Sequence, residues 1–265
     1  MSTLSRLKNL ELRLATNAAE FDAAQALRYQ VFYLEMGARG DLETHRTRRD
    51  RDMFDKVADH LIVVDLDREG EPEHAVVGCY RLLRDEAARA AGGFYTEQEF
   101  DLSGITNPGR RLELGRSCIA PDYRSGTVMQ LLWRGIADYL EMHGIELMLG
   151  CASLPGSDPD AVALPLAYLN YHHLAPVGLR PRALPQRYVR ADRMAPEEID
   201  LKAAMRALPP LLKGYLRLGG MIGDGAVIDR EFNTVDVCLI LPTARVQARY
   251  QRHFAQPQPA LLEAA

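Results

Sequence analysis

RLELGRSCIAPDYRSGTVMQLLWRGIADYLEMHGIELMLGCAS, residues 111–153, reads as strand, helix, strand. The first ten residues are strand-like, and Pro121, which has no amide to donate, stops them. From Gly126 to His143 the apolar positions Val128, Leu131, Leu132, Ile136, Tyr139 and Leu140 fall on one helical face. Gly144 ends that helix, and residues 145–153 return to a short apolar run. Two strands joined by such a helix are expected to be parallel neighbours with a right-handed crossover.

Outward from this unit, HLIVVDL (60–66) and HAVVGCYRLL (74–83) flank the turn DREGEP and predict an antiparallel hairpin. LELRLA (10–15) alternates like a strand, and Asn17 is placed to cap a helix through AAEFDAAQALRYQVF. The expected class is therefore α/β (α+β): a mixed central sheet flanked by helices. A short helix is expected near 160–174. The Pro/Arg-rich stretch 175–193 reads as a seam between a core (1–175) and an extension packed on it (176–255), followed by a flexible tail (256–265). In the extension, Pro196 opens a helix halted by Pro209-Pro210, GGMIGDG (219–225) reads as turns, and TVDVCLIL (234–241) reads as a buried strand. No internal repeat is present.

The chain has 265 residues, 47% hydrophobic and 26% charged, which excludes bulk disorder and leaves enough length for a full core. Its net charge of −4 argues against a general nucleic-acid binder. Arg outnumbers Lys 28 to 4, and Arg is the better reader of carboxylates and phosphates. Four dispersed cysteines suit reduced core thiols in a cytoplasmic protein. The N-terminus has no apolar signal region and no run approaches ~20 apolar residues, so the expectation is a soluble protein that at most rests on a membrane surface.

Several apparent motifs carry no chemistry. His60 and Asp65 have an acyltransferase-like spacing, but the intervening Leu-Ile-Val-Val is a strand that sends them to opposite faces. No Gly-x-Ser-x-Gly, His-Glu-x-x-His or Cys-x-x-Cys occurs, so neither a hydrolase triad nor a zinc site is expected.

Chemistry concentrates around 112–133. Glu113 and Arg116 are three apart and face opposite ways on a regular strand, and a bulge at Gly115 would bring them together. An edge-strand charge pair is the plain alternative. The helix beginning near Gly126 offers free amides beside Arg124, an anion site.

With Pro121-x-x-Arg124 and the following helix, this segment resembles the core of the GNAT acyltransferase superfamily. The wider set resembles its acyl-homoserine-lactone synthase branch. The matching residues are Arg28 and Phe32 in LRYQVF, Asp52 and Asp55 in DMFD, Gly78, Arg81 and Leu82, then Glu113 and Arg116. That branch's tryptophan is absent, with Ala38 nearby. The segments 150–159 and 208–241 are instead similar to the sister family of ornithine N-acyltransferases. The resemblance implies transfer of a 3-hydroxyacyl group from acyl carrier protein to the α-amino group of L-ornithine, giving lyso-ornithine lipid. The alternatives are a homoserine-lactone synthase, a coenzyme A-dependent amine acyltransferase, or an inactive acyl-carrier or lipid-binding module.

Amine attack on a thioester needs a base, an oxyanion donor and a site for the thiol. Glu113 is the expected base, with Asp55 second, and backbone amides near Arg116–Cys118 are the expected oxyanion donors. Ser117, Cys118, Arg124 and Gly126 are assigned to the donor. The turn Arg124-Ser125-Gly126-Thr127-Val128-Met129 is a poor cradle for pyrophosphate, which suits the single phosphate of a phosphopantetheine arm. No separate cofactor or metal is expected. Cys118 lacks a partner base and reads as a core thiol.

For ornithine, Arg28 or Arg81 is expected to take the carboxylate and Asp52 or Asp55 the δ-ammonium. A structural ion-pair network among the same residues competes with that reading. Two arginine groups, 46–51 and 180–193, are candidate surfaces for acidic carrier protein and anionic lipid, with solvated loops as the alternative.

Overall fold

The computed structural model describes residues 3–68, 72–106 and 109–246, so the C-terminal tail lies outside the described residues. Its strands are β1 (Thr3–Leu7), β2 (Leu10–Leu14), β3 (Asp59–Asp65), β4 (Val76–Arg84), β5 (Phe100–Asp101), β6 (Arg111–Ile119) and β7 (Leu147–Pro155). They continue with β8 (Arg182–Ala183), β9 (Tyr188–Val189), β10 (Met221–Ile222), β11 (Ala226–Asp229) and β12 (Thr234–Pro242). The helices are α1 (Ala18–Tyr29), α2 (Leu42–Thr47), α3 (Pro72–Ala75), α4 (Asp85–Ala90), α5 (Thr127–His143), α6 (Ala163–His173), α7 (Leu201–Ala207) and α8 (Pro210–Arg217).

The main sheet runs β1-β2-β3-β4-β6-β7-β12-β11-β9, with β10 also on β12. Among the described strand pairs only β6 and β7 are parallel, joined through α5 as the strand–helix–strand pattern predicts. The β3–β4 hairpin and the cap on α1 also form as expected, with the Asn17 side chain accepting from the Glu20 amide at 3.0 Å.

Both sheet faces are covered, and the strand residues divide between them. Leu12, Leu61, Val63 and Tyr80 pack with Leu132, Ile136 and Tyr139 of α5. Ile62, Val64 and Cys79 pack with Ala23, Ala24 and Leu27 of α1 on the other face. Because alternate residues are buried on both sides, β3 reads as a continuous apolar run. Each fully buried Leu or Ile contributes about 1.5–3 kcal/mol. Gly135 lets α5 approach closely, since a Cβ there would meet Leu12 and Leu61 at 2.9–3.0 Å.

Three stretches hold more structure than their sequence signals. Residues 39–52, a polar run of mixed charge that includes the arginine group 46–51, contain α2, capped by Asp41, and Asp50 after it is buried at 2% exposure. Mixed charge along that stretch hides one acid that pairs inward. The Pro/Arg-rich stretch after 175 supplies β8 and β9, and GGMIGDG contains β10. β12 lies along the whole of β7, from Thr234↔Pro155 to Pro242↔Leu147. Among the described residues no helix is long and apolar enough to cross a membrane.

Candidate active site

β6 and β7 begin as neighbours and then part. Their pairing runs only from Arg111↔Leu147 to Glu113↔Leu149. Gly150 sits against the Leu114 carbonyl, where a Cβ would lie 2.4 Å from the oxygen, so only glycine permits that approach. Beyond this point Gly115–Ser117 of β6 and Cys151–Ser153 of β7 line opposite parts of a cavity of about 280 Å³. Its walls are completed by Val31, Phe32 and Met36, by Pro209, Leu211, Leu212 and Tyr215, and by Phe232.

A bulge does turn β6, but at Arg116. Cys79 opposes Cys118 and Arg81 opposes Gly115, so β6 holds one residue more than β4 over this interval. Arg116 adopts φ 51°, a left-handed conformation uncommon for a side chain of this size. The extra residue reverses the alternation, and Glu113 and Arg116 both line the cavity.

The Arg116 guanidinium is held between two rings, 4.7 Å from the Tyr95 centroid and 4.6 Å from that of Phe232. It donates to Asp52 at 3.2 Å, while its Nε, 3.2 Å from Asp50, lacks hydrogen-bond geometry to any partner. Burial alone would lower its pKa, but Asp50, Tyr95 and Asp52 raise it well above the ordinary value.

Arg28, 1% exposed, donates through Nε to Asp50 at 2.7 Å and through both terminal nitrogens to Asp55 at 2.9 and 2.7 Å. Arg81 reaches Asp52 and Asp55 through Nη1 and lies over Phe54 and Tyr95. Arg28, Arg81 and Arg116 thus interlock with Asp50, Asp52 and Asp55 in a network with no net charge. Burial opposes ionisation of Asp50 and Asp55, yet the arginines win and hold both below the usual carboxylate range. Sequence reading found five of these six residues and missed Asp50, whose charge run disguised its burial.

Glu113, 3% exposed, accepts from the Tyr95 amide at 3.0 Å, the Thr96 amide at 2.7 Å and the Thr96 hydroxyl. Burial pushes its pKa above the ordinary glutamate value despite these bonds. Of four carboxylate lone-pair positions, one on Oε2 remains unspent among these contacts. Tyr95 and Thr96 had no sequence signal, since a four-residue turn carries no periodicity.

The donor assignments separate. Ser117 lines the cavity. The Cys118 side chain points away, its sulfur 3.5 Å from that of Cys79, and burial raises its pKa well above the ordinary thiol, which fits a core thiol. Arg124 lies outside the cavity and makes a bidentate pair with Glu35, at the end of the π-helical turn Gln30–Glu35 that carries Phe32. Gly126 is the N-terminal cap of α5, at φ 109°. His60 and Asp65 are engaged separately, with the Asp55 carbonyl and with Tyr123, as the strand argument requires.

A GNAT acetyltransferase domain model matches residues 27–134. The L-ornithine N(alpha)-acyltransferase of Rhizobium meliloti (strain 1021) is 46% identical, over 95% of this chain and 86% of that protein. The protein of that name from Rhodobacter capsulatus is also 46% identical, over 93% of this chain and 95% of its own length. Among solved structures, the AHL synthase LasI aligns with a TM-score of 0.47 and 13% identity, covering 88% of this chain and 89% of that one. The mixed sheet, the parting strands and the two ornithine acyltransferases agree: this chain is an acyltransferase of GNAT fold and belongs to the L-ornithine N(alpha)-acyltransferase family.

Proposed function

We infer that the protein moves a 3-hydroxyacyl group from the phosphopantetheine thioester of acyl carrier protein to the α-amino group of L-ornithine, forming lyso-ornithine lipid. The observation that carries this reading is the cavity at the parted strands. Its apolar wall (Phe32, Met36, Leu211, Leu212 and Phe232) meets a charged end formed by Glu113 and Arg116. The neutral α-amine attacks the thioester carbonyl, the tetrahedral oxyanion collapses, and the C–S bond breaks to release the carrier thiol. The amine proton passes to Glu113 through its remaining lone pair, directly or through water, and from there to the departing sulfur. Backbone amides at the Arg116–Cys118 bulge are assigned to the oxyanion.

Arg116 is the preferred receptor for the ornithine carboxylate, because its Nε, although 3.2 Å from Asp50, makes no hydrogen bond, and its ring sandwich fixes the guanidinium plane. Arg28, Arg81, Asp52 and Asp55 then act mainly as the frame that holds Arg116. Arg124 and the N-terminus of α5 near Gly126 are assigned to the arm's single phosphate, with Arg124 exchanging Glu35 for it. No separate cofactor is invoked.

Purified protein incubated with 3-hydroxyacyl carrier protein and a panel of amino acids tests the assignment. N-acyl-ornithine is the expected product. Product from S-adenosylmethionine or acetyl-coenzyme A, with none from ornithine, overturns it.

A further inference from the structure

Asp236 on β12 is 4% exposed, lines the cavity, and has an Oδ1 without a hydrogen-bond partner. Thr234, two residues along the same strand and 2% exposed, lines the same cavity with its hydroxyl oxygen equally unpartnered. Beside Asp236 stand Glu99 and Cys151, the three groups' ligand atoms lying within 4.8 Å of one another. Cys151 donates to Glu99 Oε2 at 3.2 Å, and Arg187 lies 3.2 Å from Glu99 Oε1. That guanidinium is spent on Glu99, and no ion pair reaches Asp236 among the described residues. Burial, and then the charge of Glu99, push Asp236 up to about 7 against the nearby Thr234 and Ser153 side chains, which lower it without reaching hydrogen-bond geometry at Asp236 Oδ1 or the Thr234 hydroxyl.

The other acids near the cavity are already committed. Asp52 and Asp55 belong to the neutral network, Glu113 holds Tyr95 and Thr96, and Asp229 Oδ1 accepts the amides of Glu231 and Phe232. We propose that Asp236, with Thr234 and Glu99 beside it, forms the subsite that receives the side-chain ammonium of the amino-acid acceptor. The proposal rests on the ornithine reading and replaces Asp52 and Asp55 in that role. A primary ammonium brings three N–H donors and no acceptor, which matches unpartnered oxygens on Asp236 and Thr234. A hydrocarbon end in the same place leaves those oxygens buried and unpaired, the situation in which binding sites discriminate most strongly. A metal suits the cluster poorly: burial raises the Cys151 thiol well above its ordinary pKa, and that thiol spends its proton on Glu99.

The test compares ornithine with norvaline, the same chain without the δ-amine, in wild type and in Asp236→Asn. The wild type is expected to favour ornithine by about 10²-fold or more in kcat/KM, and the variant to lose at least tenfold of that ratio. Equal losses on both acceptors make Asp236 a general base or a structural residue and overturn the proposal, as does an unchanged ratio. Calorimetric binding of 1,4-diaminobutane reads the subsite without catalysis, and affinity is expected to fall at least tenfold in Asp236→Asn. Equal binding to both proteins overturns the subsite even if ornithine is the substrate. Binding lost in the variant supports it even if ornithine is not. Selectivity that requires added zinc, and disappears with chelator, makes the cluster a metal site and also overturns the proposal.

Discussion

Arg28 and Asp55, twenty-seven residues apart in sequence, form a two-pronged ion pair almost sealed from solvent, with Nη1–Oδ1 2.9 Å and Nη2–Oδ2 2.7 Å. The pair ties α1 to the 3-10 turn Met53–Lys56 and orders the acids that face Arg116. Removing the Asp55 charge leaves the buried network with one positive charge in excess, although Arg28 keeps Asp50 and Arg81 keeps Asp52. Asp55→Asn is therefore expected to destabilise the fold by about 3–5 kcal/mol in urea denaturation, with activity falling alongside. A loss within experimental error shows that water reaches the site freely.

The same network sets an acid limit. Asp50 and Asp55 titrate below their unfolded values, so their contribution is fully present above the unfolded carboxylate pKa of about 4 and is lost progressively as pH falls from there through the lower folded-state values. Melting temperature is expected to drop steeply below about pH 4, and less steeply in Asp55→Asn. A flat profile down to pH 3 contradicts this linkage.

Glu113→Gln is expected to cut kcat by roughly 10²–10⁴-fold. An amide also repels one of the three donors held by the carboxylate, so a stability loss of about 1–3 kcal/mol accompanies it. In the wild type the acid limb of the rate profile is expected above the ordinary glutamate pKa, because burial raises Glu113. Wild-type turnover in the variant at neutral pH would show that another group is the base.

Arg116→Lys removes the planar stack between Tyr95 and Phe232 and any two-pronged grip on a carboxylate. The ornithine KM is expected to rise about tenfold or more, and the donor KM much less. Arg81→Lys should act in the same direction but more weakly, since Arg81 is spent on Asp52 and Asp55. Equal rises in both constants argue against a carboxylate role.

Carrier docking is expected to use charge, although most of the candidate arginines are partly neutralised. Arg46 pairs with Glu43, Arg49 and Arg51 with Asp22, Arg190 with Asp192, and Arg193 with Asp160. Arg48, exposed at the end of α2, is the cleaner probe in the first group. Arg48→Glu should raise the donor KM more strongly at low salt and leave the ornithine KM alone. If only Arg190→Glu weakens carrier or anionic-vesicle binding, the docking surface is the second group.

Elements defined by neighbours in sequence were legible before any coordinates. The β6–α5–β7 unit, the β3–β4 hairpin and the Asn17 cap follow from periodicity, turn residues and one side-chain oxygen, all local causes. The clustering of Arg28, Asp52, Asp55, Arg81, Glu113 and Arg116 was also readable, through resemblance. What each residue is free to do was not. A bulge at Arg116 instead of Gly115 depends on the register between β4 and β6, which no window of sequence contains. Asp50 looked like one charge in a solvated run until its partner, Arg28, arrived from another helix. Asp236 looked like a polar interruption in a buried strand. Only the packing of β12 on β7, under the turn that carries Glu99, removes water from it without supplying a counter-charge. Burial and hydrogen-bond satisfaction are properties of surfaces brought together over long sequence distances, and the proposed division of this site into frame, base and receptor rests on them.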